Sequence, residues 1–204
     1  KNIYIPHEET VLDVGCGNGI FSSSLKFNTS CKLTGIDGSQ YALSVAKNLD
    51  FDRLEKISDF SNDQLPFNDG EFDFVICKDV LEHLIDPKHC VDEIVRIVNK
   101  SGYVLIHVPN HFPILGRFKL LFQNNIDPFN YFPNSSRWNF PHIRFYTKSS
   151  ILELCSKMSL VGQYNEYFIS LPFLSRFIPM GIKRFLANKH TDLFSESVTL
   201  LFKK

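Results

Sequence analysis

Short apolar runs alternate with amphipathic stretches through the first half of the chain. Val11, Leu12 and Val14 suit a strand covered on both faces, and Leu33 and Ile36 are the buried positions of a second strand over Lys32–Asp37. Between them, Asn18–Leu25 fits a short helix. Ser39 is placed to cap a longer helix, Gln40–Leu49, in which Ala42, Leu43, Val45, Ala46 and Leu49 recur at helical spacing. A short third strand is predicted near Lys56–Ser58. The turn Leu65–Gly70 then leads into a fourth strand, Phe72–Cys77. Pro87 opens a helix whose core face is Cys90, Val91, Ile94, Val95, Ile97 and Val98, with Lys100-Ser-Gly102 ending it and Tyr103–Val108 as a fifth strand. Strands alternating with helices in this order predict an α/β fold with a parallel sheet and right-handed crossovers.

Periodicity breaks down over 109–145, where aromatics and prolines follow no clean period over a length too great for a simple connection, so an insertion is expected. Thr147 or Ser150 caps the next helix, predicted to run through Met158, the latter with Glu153 at capping-box spacing. Val161–Ile169 and Ser195–Phe202 read as the last two strands. A second apolar insertion, around Leu171–Leu186 within 170–193, separates them. No internal repeat appears, and one domain is expected over residues 1–204.

The chain of 204 residues is long enough to bury its own core. Its zero net charge conceals an asymmetry: residues 1–110 carry 10 Lys and Arg against 17 Asp and Glu, and residues 111–204 carry 12 against 5. The second half also holds 13 of the 20 phenylalanines and the single tryptophan, Trp138, which makes it the half to watch for a partner. Five cysteines, odd in number and without paired ligand spacing, predict reduced thiols and no metal. No apolar run approaches a membrane span and no signal peptide precedes the first strand, so a cytoplasmic protein is expected.

Candidate chemistry begins at the turn after the first strand. Gly15, Gly17 and Gly19 alternate there, letting the chain turn sharply with bare backbone open to a ligand. A helix starting near Asn18 would aim unpaired N–H groups at the same spot, favouring an anionic or carboxylate-bearing ligand. A dinucleotide site needs its third glycine at position 20, where Ile20 stands. Asp13, two residues before the first glycine, would repel a phosphate and attract an amino group. Asp37 ends the second strand and suits ribose hydroxyls in either kind of site.

Asp13-Val-Gly15-Cys16-Gly17-Asn-Gly19 resembles the first motif of the class I S-adenosylmethionine-dependent methyltransferases, and Gly35-Ile-Asp37-Gly38-Ser39 resembles the second. Leu65-Pro-Phe67, Phe72-Asp73 and Val80-Leu81-Glu82-His83 are similar to a stretch of one large branch, whose members act on small molecules, quinone precursors, lipids and surface sugars. The resemblance covers residues 9–110 strongly and 142–204 weakly. It implies a Rossmann-like, doubly wound fold: a mostly parallel seven-stranded sheet, an antiparallel last strand and helices on both faces. It also implies S-adenosylmethionine as cofactor and S-adenosylhomocysteine as product.

By that resemblance the backbone at Gly15, Cys16 and Gly17 passes the methionine moiety, Asp13 attracts its amino group, Asp37 accepts both ribose hydroxyls, and Gly19, Gly38 and Ser39 also belong to the cofactor site. Asp59 and Phe60 border the adenine, and Lys78 and Asp79, just past the fourth strand, contact the cofactor. Methyl transfer needs alignment and a dry pocket, with a base only for some acceptors. The candidates for that base are His111, His142 and His83, with His142 and Arg144 in a Pro-His-Ile-Arg-Phe-Tyr turn similar to one that closes over the site in related enzymes. His107, inside the fifth strand, reads as a satisfied core histidine. Asn110 and His111 are expected to overhang the methyl group. Enzymes of this branch carry helices ahead of the first strand that cover the site, and here ten residues precede Val11; a lid is expected from the insertions or from further chain.

The expected acceptor is a hydroxyl, amine or carbon of a small, anionic or lipid-like or sugar-like molecule. Residues 171–186, with Arg176, Lys183, Arg184 and no acid, are placed to meet an anionic, partly apolar surface, including a peripheral membrane contact. The alternative is a non-catalytic, cofactor-binding regulatory or assembly subunit. Nucleic acid ranks last as a substrate, because Lys78-Asp79-Val80-Leu81 stands where an Asn-Pro-Pro-Tyr or Asp-Pro-Pro-Tyr motif would be needed.

Overall fold

The computed structural model describes residues 9–26, 30–123, 141–165 and 178–204. Five parallel strands lead the chain: β1 (Thr10–Val14), β2 (Lys32–Asp37), β3 (Arg53–Lys56), β4 (Phe72–Lys78) and β5 (Val98–Pro109). β6 (Ser159–Gln163) and β5 flank β7 (Ser197–Lys203), which runs antiparallel to both. The sheet order is β3-β2-β1-β4-β5-β7-β6, the Rossmann-like arrangement expected. Chain direction across the sheet reverses between β1 and β4, and open parallel sheets bind ligands beyond the carboxyl ends of the strands at such a point.

Alternation along the strands builds a core on each face. Leu12, Val14, Val75, Cys77, Ile106 and Val108 pack with Cys90, Val91, Ile94 and Ile97 of α3 (Pro87–Ile97) and with Ile151 of α5 (Lys148–Leu154). Val11, Leu33, Phe74, Ile76 and Leu105 form the second core, against which Leu25 of α1 (Ile20–Lys26) packs. Asp13 shares the register of Val11 and so points toward α1. The remaining helices are α2 (Gln40–Ala46), a 3-10 turn at Leu81–His83, α4 (Ile114–Gln123), α6 (Met180–Lys189) and α7 (Thr191–Phe194).

Several boundaries differ from expectation, each for an identifiable reason. β3 lies at Arg53–Lys56 because it is an edge strand held by pairing of Thr34 with Arg53 and Ile36 with Glu55, with little apolar content to mark it. α2 ends at Ala46, where Lys47 forms the C-cap, and Val45 is exposed. α3 stops at Ile97 because Val98 already pairs with Phe72; residues 100–102 belong to an irregular stretch of β5 instead of ending the helix. Thr147 is the cap of α5, its hydroxyl accepting from the Ser150 N–H while the Ser150 hydroxyl accepts from the Thr147 N–H, so the helix begins at Lys148 and ends at Leu154. β6 starts earlier than expected, at Ser159.

Both regions read as insertions contain a helix, α4 in the first and α6 in the second. Trp138, Phe173 and Arg176 lie outside the described residues. All five cysteines are free and buried, and among the described residues no helix is long and apolar enough to cross a membrane.

Candidate active site

The glycine turn lies at the carboxyl end of β1, and its three glycines have positive φ, 73° at Gly15, 54° at Gly17 and 77° at Gly19. A Cβ on Gly15 would fall 2.2 Å from Val80 Cγ2, so packing against the loop after β4 excludes any side chain there. Gly17 differs, because a Cβ there would meet nothing within 4 Å. Its backbone borders open space, where a ligand can approach. The N–H groups of this turn do not point outward as expected. Gly15 and Cys16 both donate to the Ile36 carbonyl, at 2.8 and 3.1 Å, and Gly19 donates to the Cys16 carbonyl at 2.9 Å. These bonds occupy the N–H groups of Gly15, Cys16 and Gly19 within the protein, and α1 begins only at Ile20.

Asp37 is set by the same turn. Its Oδ2 accepts from the Gly17 N–H at 2.8 Å and its Oδ1 from the Ser39 N–H at 2.7 Å, which fixes the carboxylate at the end of β2. Each oxygen retains a lone pair for a further donor. Ser39 also caps α2 through Ala42. Asp13 is buried and accepts from the Ser22 hydroxyl of α1. Burial pushes its carboxyl up to about 7, with nearby Asp37 adding to the rise and the Ser22 hydrogen bond and Lys78 opposing it. Burial likewise raises the Cys16 thiol to about 12, so no reactive thiolate faces the site near neutral pH.

Asp59 is occupied within its own turn. Asn62 Nδ2 donates to its Oδ2 at 2.6 Å and the Ser61 N–H to its Oδ1 at 2.7 Å, and these bonds hold its carboxyl below the usual range. Phe60 packs at the edge of the larger core. At the end of β4, Lys78 forms an ion pair with Asp79, which has a φ of 55°, unusual for a residue other than glycine. Asp79 Oδ1 lies 3.4 Å from His107 Nε2, while His107 Nδ1 lies 2.8 Å from Thr199 Oγ1. His107 is thus satisfied on both nitrogens, though half-buried instead of sealed in the core.

The three candidate histidines come together. His111 follows the end of β5, and its Nε2 lies 2.7 Å from His142 Nδ1; the rings of His83 and His142 meet edge to face at 4.8 Å. His83 Nδ1 lies 3.1 Å from the Pro141 carbonyl. The segment carrying His142 is fastened to the 3-10 turn: Ile143 and Arg144 donate their N–H groups to the Glu82 carbonyl at 2.9 and 3.1 Å. The Arg144 guanidinium reaches the Ile85 and Leu84 carbonyls, and the Tyr146 hydroxyl donates to Leu81 O at 3.1 Å. Arg144 therefore acts as a clamp. Asn110 does not overhang this space. It is buried, donating to the Thr191 and Ser195 carbonyls at 3.3 and 2.8 Å, and so ties β5 to the segment leading into β7.

Glu82 is not among the residues expected at the site. Its side chain is 1% exposed and its carboxyl is raised to about 7, by burial first and by nearby Asp79. Its place directly before His83 was the available signal; that both oxygens would be buried was not readable from the pattern.

A Rossmann-like sheet with a glycine turn after β1 and a fixed carboxylate after β2 is the architecture of a domain that holds a nucleoside-bearing ligand. Residues 12–106 match the family described as "Methyltransferase domain". A ubiquinone biosynthesis O-methyltransferase from Thiobacillus denitrificans is 34% identical over 108 residues, which cover 49% of this chain and 44% of that protein. The chain spans about half the length of the curated relatives it matches. Among solved structures, a SAM-dependent methyltransferase from Archaeoglobus fulgidus has a TM-score of 0.64 at 18% identity, covering 98% of this chain and 88% of that one. The [4+2]-cyclase SpnF has a TM-score of 0.63 at 16% identity, covering 98% and 76%. The matched segment, from β1 into β5, is thus similar to a methyltransferase domain, and the solved structures share the fold of the chain.

Proposed function

We propose that this chain transfers a methyl group from S-adenosylmethionine to a hydroxyl of a small acceptor, amine and carbon being the less supported acceptor atoms. The observation that carries this reading is the meeting of two groups of residues at one sheet edge. Gly17 and Asp37 lie beyond β1 and β2, and His83, His111 and His142 lie beyond β4 and β5. The residues fit the cofactor: the open space beside Gly17 admits a chain of atoms against bare backbone, and Asp37 is held with lone pairs to spare. Asp13 lies behind the turn, where an ionised carboxylate would attract an ammonium. When bound, the cofactor supplies an electrophilic methyl group on a sulfonium. The chain's own part is to align the acceptor, exclude water and take a proton from a hydroxyl. The short His111–His142 contact supports a base there, since one imidazole must accept from the other and the pair can pass a proton on. Relatives named as O-methyltransferases support the hydroxyl.

Titration calorimetry with S-adenosylhomocysteine tests the reading. Asp37→Ala is expected to weaken binding by about 1–3 kcal/mol, because two ribose hydroxyls lose their charged partner. Unchanged affinity in that variant removes Asp37 from the site, and competition by a nicotinamide dinucleotide at similar affinity overturns the assignment of the glycine turn. The second reading is that the domain holds the cofactor without transferring its methyl group, because a fold does not by itself fix a chemistry and a neighbour of the same fold is named a [4+2]-cyclase. Absence of label transfer from methyl-labelled cofactor to any of a panel of hydroxyl acceptors, with cofactor binding intact, favours it.

A further inference from the structure

We propose that Glu82, His83 and His142 form a binding site for one divalent cation of the zinc, manganese or cobalt kind, beside the proposed methyl-transfer site. Among the described residues no other residue donates a hydrogen bond to either Glu82 carboxylate oxygen, although the side chain is 1% exposed; the backbone N–H of Glu82 itself is the hydrogen-bonding group that reaches its carboxyl. A carboxylate buried in this way is costly unless a positive charge meets it. The nearest ring nitrogen in an ion-pair contact, His83 Nε2, stands 4.0 Å from Oε1, too far for a hydrogen bond. One donor atom from each of Glu82, His83 and His142 lies within 4.8 Å of the others. Ligands about 2.0–2.2 Å from a shared ion lie roughly 3–3.5 Å from one another, so modest side-chain rotation closes the set.

The hydrogen bonds around the cluster favour ligation. A carbonyl can only accept, so His83 Nδ1 carries its proton toward Pro141 O, which leaves the lone pair on Nε2, the nitrogen nearer Glu82. When His142 Nδ1 donates to His111 Nε2, the lone pair of His142 is likewise on its Nε2. Ligating imidazoles characteristically have the far nitrogen fixed by such a partner. The two segments that supply the ligands are fastened by the bonds from Ile143 and Arg144 to the Glu82 carbonyl, so the set does not depend on a single turn. One carboxylate and two imidazoles suit a borderline transition-metal ion better than magnesium or calcium, which prefer oxygen alone.

Three protein ligands leave coordination positions open. Their occupant, if the methyltransferase reading of this edge is right, is an acceptor that presents two neighbouring oxygens, such as adjacent hydroxyls or a hydroxyl beside a carboxylate. The cation would lower the pKa of the hydroxyl it binds so that its proton can leave to water; His142 would then serve as a ligand positioned by His111 in place of the base role proposed for the pair. The expectation of no metal rested on cysteine spacing, which is blind to ligands brought together from residues 82, 83 and 142.

The test is calorimetric titration of chelator-treated protein with cobalt chloride, with S-adenosylhomocysteine affinity measured on every sample. The expected result is one equivalent of Co2+ bound by the wild type, with at least a tenfold loss in Glu82→Gln and in His142→Ala, and cofactor affinity retained. Equal cobalt affinity in wild type and variants overturns the site, as does no binding by protein that still holds S-adenosylhomocysteine. Failure to hold S-adenosylhomocysteine strikes at the methyltransferase reading instead. Should either variant fold poorly, the wild-type absorption spectrum decides. Visible cobalt bands without a thiolate charge-transfer band support the nitrogen and oxygen donors, and a thiolate band overturns them.

Discussion

Asp13 is the residue at which burial and ligand chemistry pull hardest against each other. In the β1 register it must face α1, where the Ser22 hydroxyl donates to it; that bond and nearby Lys78 offset burial only in part, and its carboxyl is raised to about 7. The sign of the consequence follows directly. A raised carboxyl is protonated over a range in which an ordinary one is charged, and folding therefore loses stability as pH rises from the unfolded value near 4 through about 7. Under the proposed role of Asp13 cofactor binding runs the other way, since only the ionised form would attract the ammonium of the methionine moiety. S-Adenosylhomocysteine affinity is expected to rise between about pH 5 and pH 7, approaching tenfold per pH unit at the acid end, and to level off above it. Asp13→Asn should bind more weakly at pH 8 and show a nearly flat profile. Calorimetry across that range checks both, and a wild-type profile as flat as the variant's removes Asp13 from contact with the amino group. The places of Gly17 and Asp37 in the fold, by contrast, were legible from residue type, because alternate glycines mark the turn after β1 and the apolar Leu33 and Ile36 mark the strand that Asp37 ends.

At the scale of elements, the parallel half of the sheet could be read ahead of the structure because its buried strands announce themselves: Val11, Leu12, Leu33, Ile36, Val75 and Ile76 all lie within 1% of full burial. β3 was misplaced because an edge strand of Arg53-Leu-Glu-Lys56 is held by backbone pairing, which leaves no apolar signature. α4 and α6 were missed for the opposite reason. Phe118, Leu121, Phe122, Met180, Ile182 and Phe185 are exposed, so no single buried stripe marks either helix. The histidine cluster was legible only in its members; that the 3-10 turn and the 142–146 segment lock together depends on backbone donors that no side-chain pattern reveals. This lock gives a prediction. His111→Ala and His142→Ala should lower kcat by roughly a hundredfold with S-adenosylhomocysteine affinity unchanged. Arg144→Ala, which frees the segment from the Leu84 and Ile85 carbonyls, should lower kcat by roughly tenfold and be partly rescued by Arg144→Lys. Steady-state kinetics on the four variants check this, and wild-type turnover in both histidine variants would show that the acceptor needs no base from them.

For the whole molecule, the charge asymmetry seen along the chain acquires a place. α4 leaves the carboxyl end of β5, and α6 leads through α7 into the start of β7, whose Ser197 pairs with Pro109; both helices therefore lie at the end of the sheet that carries the candidate site. Arg117 of α4 reaches the Asp192 carbonyl of α7 and joins the two regions. Neither α4 nor α6 contains an acid, while together they contain Arg117, Lys119, Lys183, Arg184 and Lys189 among exposed apolar side chains. We propose that such a surface, set against a first half with seven more acids than bases, draws by charge and holds by contact an acceptor that is anionic and partly apolar. Reversing Lys183 and Arg184 to Glu is expected to raise the apparent KM for an acceptor bearing a phosphate and an acyl chain by roughly threefold to tenfold at low salt. Because screening removes the attraction in the wild type as well, the two proteins should converge as ionic strength approaches about 0.5 M. S-Adenosylhomocysteine affinity should not change, since neither cation lies among the residues that fix the glycine turn or Asp37. A KM that is the same in both proteins at low salt would reduce α6 to a solvated face and leave the acceptor to be recognised by the histidine cluster alone.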